Sequence, residues 1–249
     1  MQSETWREAI RGGGVLSVDV IPVIDLKGGA VVRARLGRRE SYAPIETPLC
    51  ATSAPLDVVA GLLTLSPFRA IYVADLDAIG GRGDHDGIIG AMSAAFPQIA
   101  FWVDAGVADA AGARAWLARH VRDTLVLGSE TLADPAVLAE LADDARLILS
   151  LDFDGDRFVG PPLVLATQAL WPSRVIVMTL GRVGGDEGPD FDRLAALRRA
   201  GGAALFAAGG VRGPEDLADL ARAGAHGVLV ASALHDGLLT GADLASAGA

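Results

Sequence analysis

A single cysteine, Cys50, stands among 249 residues. One thiol excludes an intrachain disulfide and a multi-cysteine metal site, and it is compatible with a reducing, cytoplasmic setting. Histidine is also scarce: His85, His120, His226 and His235 are scattered without ligand spacing, so neither metal nor cofactor is expected. Cys50 has no histidine within sequence reach, which argues against nucleophilic catalysis. No apolar run approaches the roughly 20 residues that cross a bilayer. The first 20 residues lack the continuous apolar core of a signal peptide. Basic residues are outnumbered, 21 against 31 acidic ones, for a net charge of −10. Such a field repels a phosphate backbone, so the expected protein meets neither nucleic acid nor membrane. A small phosphate is not excluded, because backbone N–H groups at helix starts hold one locally.

Aromatics make up only 5% of a chain that is 51% hydrophobic, so Ala, Val, Leu and Gly supply the apolar volume. That composition suits parallel strands buried on both faces. Eight short apolar runs read as strands: Val18–Ile24, Ala70–Ala74, Ile99–Val103, Thr124–Leu127, Arg146–Leu151, Arg174–Met178, Ala204–Ala207 and Gly227–Val230. Helical stretches follow them at Leu56–Leu65, Gly87–Ala95, Ala110–Arg119, Pro135–Ala142, Pro162–Leu170, Phe191–Ala200, Pro214–Ala223 and Ser232–Leu238. Asp134-Pro135 and Gly213-Pro214 place proline at helix starts, and Gly201-Gly202 and Gly224 end helices. Eight βα units in a chain near the typical length of about 250 residues predict one TIM (β/α)₈ barrel over residues 18–249. Residues 1–17 read as a covering extension, with a short helix Glu4–Arg11 and a Gly12-Gly13-Gly14 break. The longest gap, Lys27–Pro55, carries Arg33, Arg35, Arg38, Arg39 and Tyr42 and is expected to act as a lid on the barrel rim.

The two halves repeat each other. Ile71 to Gly81 aligns with Val175 to Gly185, which sets Asp75 against Thr179. The same spacing sets Asp104-Ala105-Gly106-Val107 against Ala208-Gly209-Gly210-Val211. Leu127-Gly128-Ser129 meets Val230-Ala231-Ser232 one residue short of that spacing, and Asp25 meets Asp152. Strands one to four therefore resemble strands five to eight.

Val23-Ile24-Asp25-Leu26, Val73-Ala74-Asp75-Leu76, Leu127-Gly128-Ser129, Ser150-Leu151-Asp152, Thr179 and Ala207-Ala208-Gly209-Gly210-Val211 carry a family likeness. They resemble the histidine-biosynthesis barrels, the ProFAR isomerase and the cyclase subunit of imidazole glycerol phosphate synthase. The resemblance implies that Asp25 and Asp152, ending the first and fifth strands, serve as base and acid in an Amadori rearrangement of an aminoaldose phosphate. It implies that Thr179 contacts substrate. Opening a ribosyl ring needs an acid near the ring oxygen and a base at C2, and two carboxylates across a barrel mouth meet that need when their environments tune them. Capping a loop or binding hydroxyls is the competing role for both. Asp75, ending the second strand in the mouth, is a further candidate contact.

The resemblance also implies a phosphate site in each half. The second-half site looks intact, with Gly209, Gly210, Ala231 and Ser232 offering close backbone approach and a helix start. The first-half site is altered: Asp104 replaces a glycine, the basic residue of that loop is absent, and Glu130 follows Gly128 and Ser129. Two carboxylates repel a phosphate dianion by several kcal/mol each, on the order given by a dielectric near 20. The expected ligand is therefore a singly phosphorylated metabolite, not the doubly phosphorylated histidine intermediate. Asp104 and Glu130 are then free to recognise an amine, the N–H groups of a heterocycle or hydroxyls; capping a helix is the alternative. The loop Gly181–Asp190 resembles a divergent branch of ProFAR-isomerase relatives associated with methanopterin-type one-carbon cofactors. Within it Arg182 either reaches substrate or pairs with Asp186 or Glu187. The expected function is an aldose–ketose isomerase or related lyase. The alternative is a catalytic or non-catalytic phosphometabolite-binding subunit in biosynthesis of such a cofactor. The oligomeric state is left open.

Overall fold

Eight parallel strands close into a ring in the computed structural model, which describes residues 17–199 and 202–248. They are β1 (Asp19–Lys27), β3 (Ala70–Asp75), β4 (Ala100–Asp104), β5 (Thr124–Gly128), β6 (Leu147–Asp154), β8 (Arg174–Thr179), β9 (Ala204–Ala208) and β10 (Gly227–Val230). Each pairs with the next, and β10 returns to β1 through Asp19↔Gly227 to Pro22↔Val230. Helices α1 (Pro55–Leu62), α3 (Asp86–Ala95), α4 (Ala110–Arg119), α5 (Ala136–Glu140), α6 (Pro162–Ala166), α7 (Phe191–Arg198) and α8 (Pro214–Ala223) run between them. The fold is the TIM barrel. The expected helix Glu4–Arg11, Trp6 and the last residue of the helix read as Phe191–Ala200 lie outside the described residues.

All eight predicted strands are present, because each is a short apolar run whose two faces are both covered. The helices differ mainly at their ends. The stretch Pro162–Leu170 is broken after α6, and Gln168–Leu170 forms a 3₁₀ turn. The stretch after the last strand stops as α9 (Ser232–His235), shortly before Gly237 at φ +70°. Three kinds of element were not expected. Asp75 caps a one-turn helix, α2 (Leu76–Ile79), and α10 (Gly241–Ala247) opens on a Thr240–Asp243 capping box. Two short antiparallel strands, β2 (Ala30–Val32) and β7 (Arg157–Val159), fold back on β1 and β6. In those hairpins Asp25 faces Val32 and Asp152 faces Val159, so the half-barrel repeat extends to the loops behind the two aspartates.

Alternation along the strands sorts the core into two parts. One lies between sheet and helices and is built of residues such as Ile24, Phe101, Leu127 and Leu149. The other fills the barrel with Ile21, Tyr72, Trp102, Val126, Ile148, Ile176, Phe206 and Leu229. Trp102 and Phe206 meet edge to face at 5.0 Å between centroids and plug the middle of the barrel. This plug forms the floor of the space above it. Phe206→Ala is expected to cost about 3–5 kcal/mol, read as a lower urea midpoint at unchanged slope.

Candidate active site

The inward positions of the last strand residues converge at the C-terminal face. Asp25 on β1 registers with Ala74 on β3, and Ala74 with Asp104 on β4. Gly128 on β5 registers with Ser150, and Asp152 on β6 with Met178 on β8. Above the aromatic plug these residues enclose a cavity of about 410 Å³. Asp25, Tyr72, Asp104, Glu130 and Asp152 line it on one side, and Gly209, Gly210, Val211, Ala231 and Ser232 on the other. In the ring order, β1 and β6 stand across from each other, as do β4 and β9. Asp25 therefore faces Asp152, and Asp104 faces the Gly209-Gly210 turn.

The three aspartates differ in their partners. Asp152 is held by three side-chain and backbone donors: Ser150 Oγ at 2.8 Å, Ser129 Oγ at 3.1 Å and the Glu130 N–H at 3.2 Å. Burial still raises its carboxyl to about 6, with the Glu130 carboxylate adding to the rise and the Ser150 hydroxyl opposing it. Asp104 accepts one bond, from the Gly106 N–H at 3.0 Å. Burial lifts it to about 7, helped by Asp152 and Glu130 and opposed by the Gly106 bond and by Arg39. Asp25 has no hydrogen-bond partner among the described residues, and burial raises it to about 7 against the attraction of Arg39. Gly128 makes the crowding of Asp104 and Asp152 possible. A Cβ there would lie 2.8 Å from Asp104 Oδ2 and 3.5 Å from Asp152 Oδ2. Gly128 and Ser129 thus act through the carboxylates; neither lines the cavity itself.

The segment after β2 lies over the cavity and is fastened on several sides. The Leu36 N–H donates to the Val183 carbonyl at 2.8 Å, and Lys27 Nζ to the Arg39 carbonyl at 2.7 Å. Arg33 pairs with Asp236 beyond α9. Arg39 forms an ion pair with Glu130 across the mouth. Glu130 was expected as a free carboxylate; the lid supplies its counter-charge, so of the two expected acidic groups only Asp104 has no basic side chain paired with it among the described residues. Leu36, Gly37, Arg39 and Tyr42 all line the cavity.

Other candidates sit elsewhere. Asp75 does not line the cavity: its oxygens accept from the Ala78 and His85 N–H groups and from His85 Nδ1. His85 Nε2 in turn accepts from the Gly29 N–H at 2.9 Å, so this aspartate braces the β1–β2 hairpin. Arg182 turns to the Gly188 and Pro189 carbonyls, at 2.9 and 2.8 Å, rather than to Asp186, Glu187 or the cavity. Thr179 is buried beside Asp190, its hydroxyl 3.4 Å from Asp190 Oδ2, and it also stays out of the cavity lining. Sequence reasoning passed over Tyr72 as an ordinary strand residue. The available signal was parity, since Tyr72 shares its face with Ala74, and scarcity, since both tyrosines of the chain, Tyr42 and Tyr72, line this cavity.

Gly209 and Gly210 have φ of +103° and +84°. A Cβ would lie 2.9 Å from the Thr179 carbonyl oxygen at the first and 2.3 Å from that of Gly188 at the second. Glycine is thus required to pack this turn against the loop after β8, quite apart from any ligand. The N–H groups of Gly209, Gly210 and Val211 donate to no protein acceptor among the described residues. Among those residues, no three His, Cys, Asp or Glu side chains converge as a metal ion requires. No described helix is long and apolar enough to cross a membrane.

Comparison with known proteins agrees with this geometry. A family model described as histidine biosynthesis protein matches residues 19–240. An uncharacterized protein of Methanocaldococcus jannaschii is 29% identical over 224 residues, 88% of this chain and 94% of that one. The 1-(5-phosphoribosyl)-5-((5-phosphoribosylamino)methylideneamino)imidazole-4-carboxamide isomerase (ProFAR isomerase) of Halorhodospira halophila is 28% identical over 92% of this chain and 95% of its own. That of Myxococcus xanthus is 29% identical over 88% and 94%. With a family model matching most of its length, the chain belongs to the histidine biosynthesis protein family, here folded as a TIM barrel.

Proposed function

We propose that this barrel is an aldose–ketose isomerase of the Amadori type, acting on a singly phosphorylated ribosyl-amine-like metabolite. The observation that carries the reading is the pair Asp25 and Asp152, on opposite strands of one cavity and both held near neutrality. A carboxyl in that range both gives and takes a proton at physiological pH. One carboxylic acid protonates the ring oxygen, the C1–O bond breaks, and nitrogen lone-pair density forms the C1 iminium. The opposing carboxylate removes the C2 proton to give the enolamine, and protonation at C1 with loss of the C2 hydroxyl proton to a carboxylate yields the aminoketose. No atom is gained or lost, so no co-reactant is needed.

The phosphate is assigned to the Gly209-Gly210 turn with Ala231 and Ser232. Free N–H groups there support that placement, and the facing carboxylate, Asp104, stands across the barrel rather than beside the turn. A second phosphate is disfavoured at the other end. Asp104 stands inside the cavity, and the two guanidiniums that line it are both engaged, Arg39 by Glu130 and Arg157 by Asp154.

The N-aryl glycosylamine of ribose 5-phosphate, followed by NMR in deuterated water, tests the chemistry. The protein is expected to form the aminoketose with deuterium at C1. Asp25→Asn and Asp152→Asn should each slow this by on the order of 10²-fold or more, with inorganic phosphate binding by calorimetry unchanged. Undiminished turnover in both variants would leave only a phosphometabolite-binding role.

Holding carboxylates near neutrality costs stability. A folded-state pKa raised above the unfolded value favours the protonated form. The penalty is therefore absent below about pH 4, grows between about 4 and 7, and is full above 7. Asp104→Asn is expected to stabilise the protein at pH 8 by on the order of 2–4 kcal/mol and by almost nothing at pH 4. Urea unfolding at the two pH values checks the sign.

A further inference from the structure

Two polar groups in the cavity have no part in that proton transfer and no protein partner for their cavity-facing atoms. Asp104 is 4% exposed, and its Oδ2 accepts from no donor among the described residues. Tyr72 is also 4% exposed and lines the cavity, and its hydroxyl bonds to nothing among them. Both side chains are buried yet turn a polar atom to the cavity, where whatever fills the space supplies the hydrogen-bond partner. Tyr72 lies beside β4, one step deeper than Ala74, and Asp104 is the carboxylate that acts on it most strongly.

The chemistry of the pair selects the ligand. Burial and the carboxylates of Asp104, Asp152, Asp25 and Glu130 push the phenol well above its ordinary pKa, so it stays an O–H. Its lone pairs, Asp104 Oδ2 and the unpartnered Asp25 carboxyl leave this end rich in acceptors. The two guanidiniums on the cavity lining are already paired, Arg39 with Glu130 and Arg157 with Asp154. Such a surface disfavours a second anion and leaves an N–H donor with several acceptors. We infer that Asp104 and Tyr72 form a binding site for an ammonium or other N–H-bearing group of the substrate, across the barrel from the Gly209-Gly210 turn. The substrate class is then a phosphorylated amine whose two charges lie at opposite ends. This rests on the assignment of the phosphate to that turn.

A ladder of straight-chain ω-aminoalkyl phosphates of two to six carbons, each paired with the ω-hydroxyalkyl phosphate of equal length, tests the inference by calorimetry. The length series removes any dependence on guessing the span. At one length or more the amine is expected to bind about 10-fold or more tighter than the alcohol, the margin of a charge-assisted hydrogen bond. Asp104→Asn should erase the preference, and Tyr72→Phe should reduce it several-fold, each with inorganic phosphate binding and a cooperative melt retained. Equal affinities for amine and alcohol at every length, with inorganic phosphate still bound, would overturn the ammonium site alone. Failure of inorganic phosphate to bind would overturn the anchor at Gly209-Gly210 and the site argued from it. A preference that survives Asp104→Asn would move the amine elsewhere and refute the assignment.

Discussion

Ring closure is the constraint from which the rest of the site follows. Eight strands joined edge to edge leave each inward side chain a fixed neighbour on either side and a fixed counterpart across the barrel. Asp25 and Asp152 are counterparts because β1 and β6 are four places apart in the ring. The same count sets Asp104 on β4 against the turn that ends β9. Two axes cross over one floor of Trp102 and Phe206, one axis bearing a carboxyl at each end and the other a carboxyl and an array of N–H groups. The floor matters as much as the walls. Without its apolar filling, water would reach the carboxylates from below, and the desolvation that raises all three would be lost.

The fold was legible because its signal is repeated eight times. A buried parallel strand must be a short apolar run, and Ile71 to Val73 or Val175 to Val177 admits little else. The aspartates at strand ends were legible for a related reason: a charged residue closing such a run has only the barrel mouth to enter. What escaped the sequence were contacts made over long separations. Nothing near Glu130 announces that Arg39, far back in the chain, will neutralise it. Asp75 looks like Asp25 in its strand context, yet the following chain turns into a helix that takes its carboxylate as a cap, and His85 takes what remains. Asp25 has no such helix after it but a hairpin to Val32, so its carboxylate stays free. Side chains of the same type ending similar strands were thus sorted by the loop that follows, and loop conformation is the part of a barrel that residue patterns specify least.

The half-barrel repeat explains where the chemistry diverges. Both halves keep an aspartate followed by a hairpin, and both keep glycine where loops must pass closely, Gly106 beside Ala78 and Gly210 beside Gly188. The departures at the cavity include Asp104 and Ala105 in the third unit and Glu130 in the fourth. Where the second half continues from Ala208 into Gly209, the first half places Asp104 before Ala105. Asp104 thus puts a buried negative group where the second half has the methyl of Ala208. Gly128 is what lets this carboxylate and Asp152 occupy neighbouring inward positions, so the polarity of the cavity rests on one residue that adds charge and one that adds nothing.

The lid completes this arrangement electrostatically rather than by shape alone. Arg39 is the one guanidinium that acts on Asp25, Asp104 and Glu130 together, and it lowers the proton affinity of both aspartates while it holds the mouth shut. An exposed ion pair contributes little on its own, but this one is half-buried and faces a cluster of desolvated acids. The position of Arg39 and carboxyl ionisation are therefore linked: Arg39 over the cavity favours loss of a proton from Asp25 and Asp104, and their ionisation strengthens the hold on Arg39. The segment lying over the cavity thus also biases the protonation of the carboxylates beneath it.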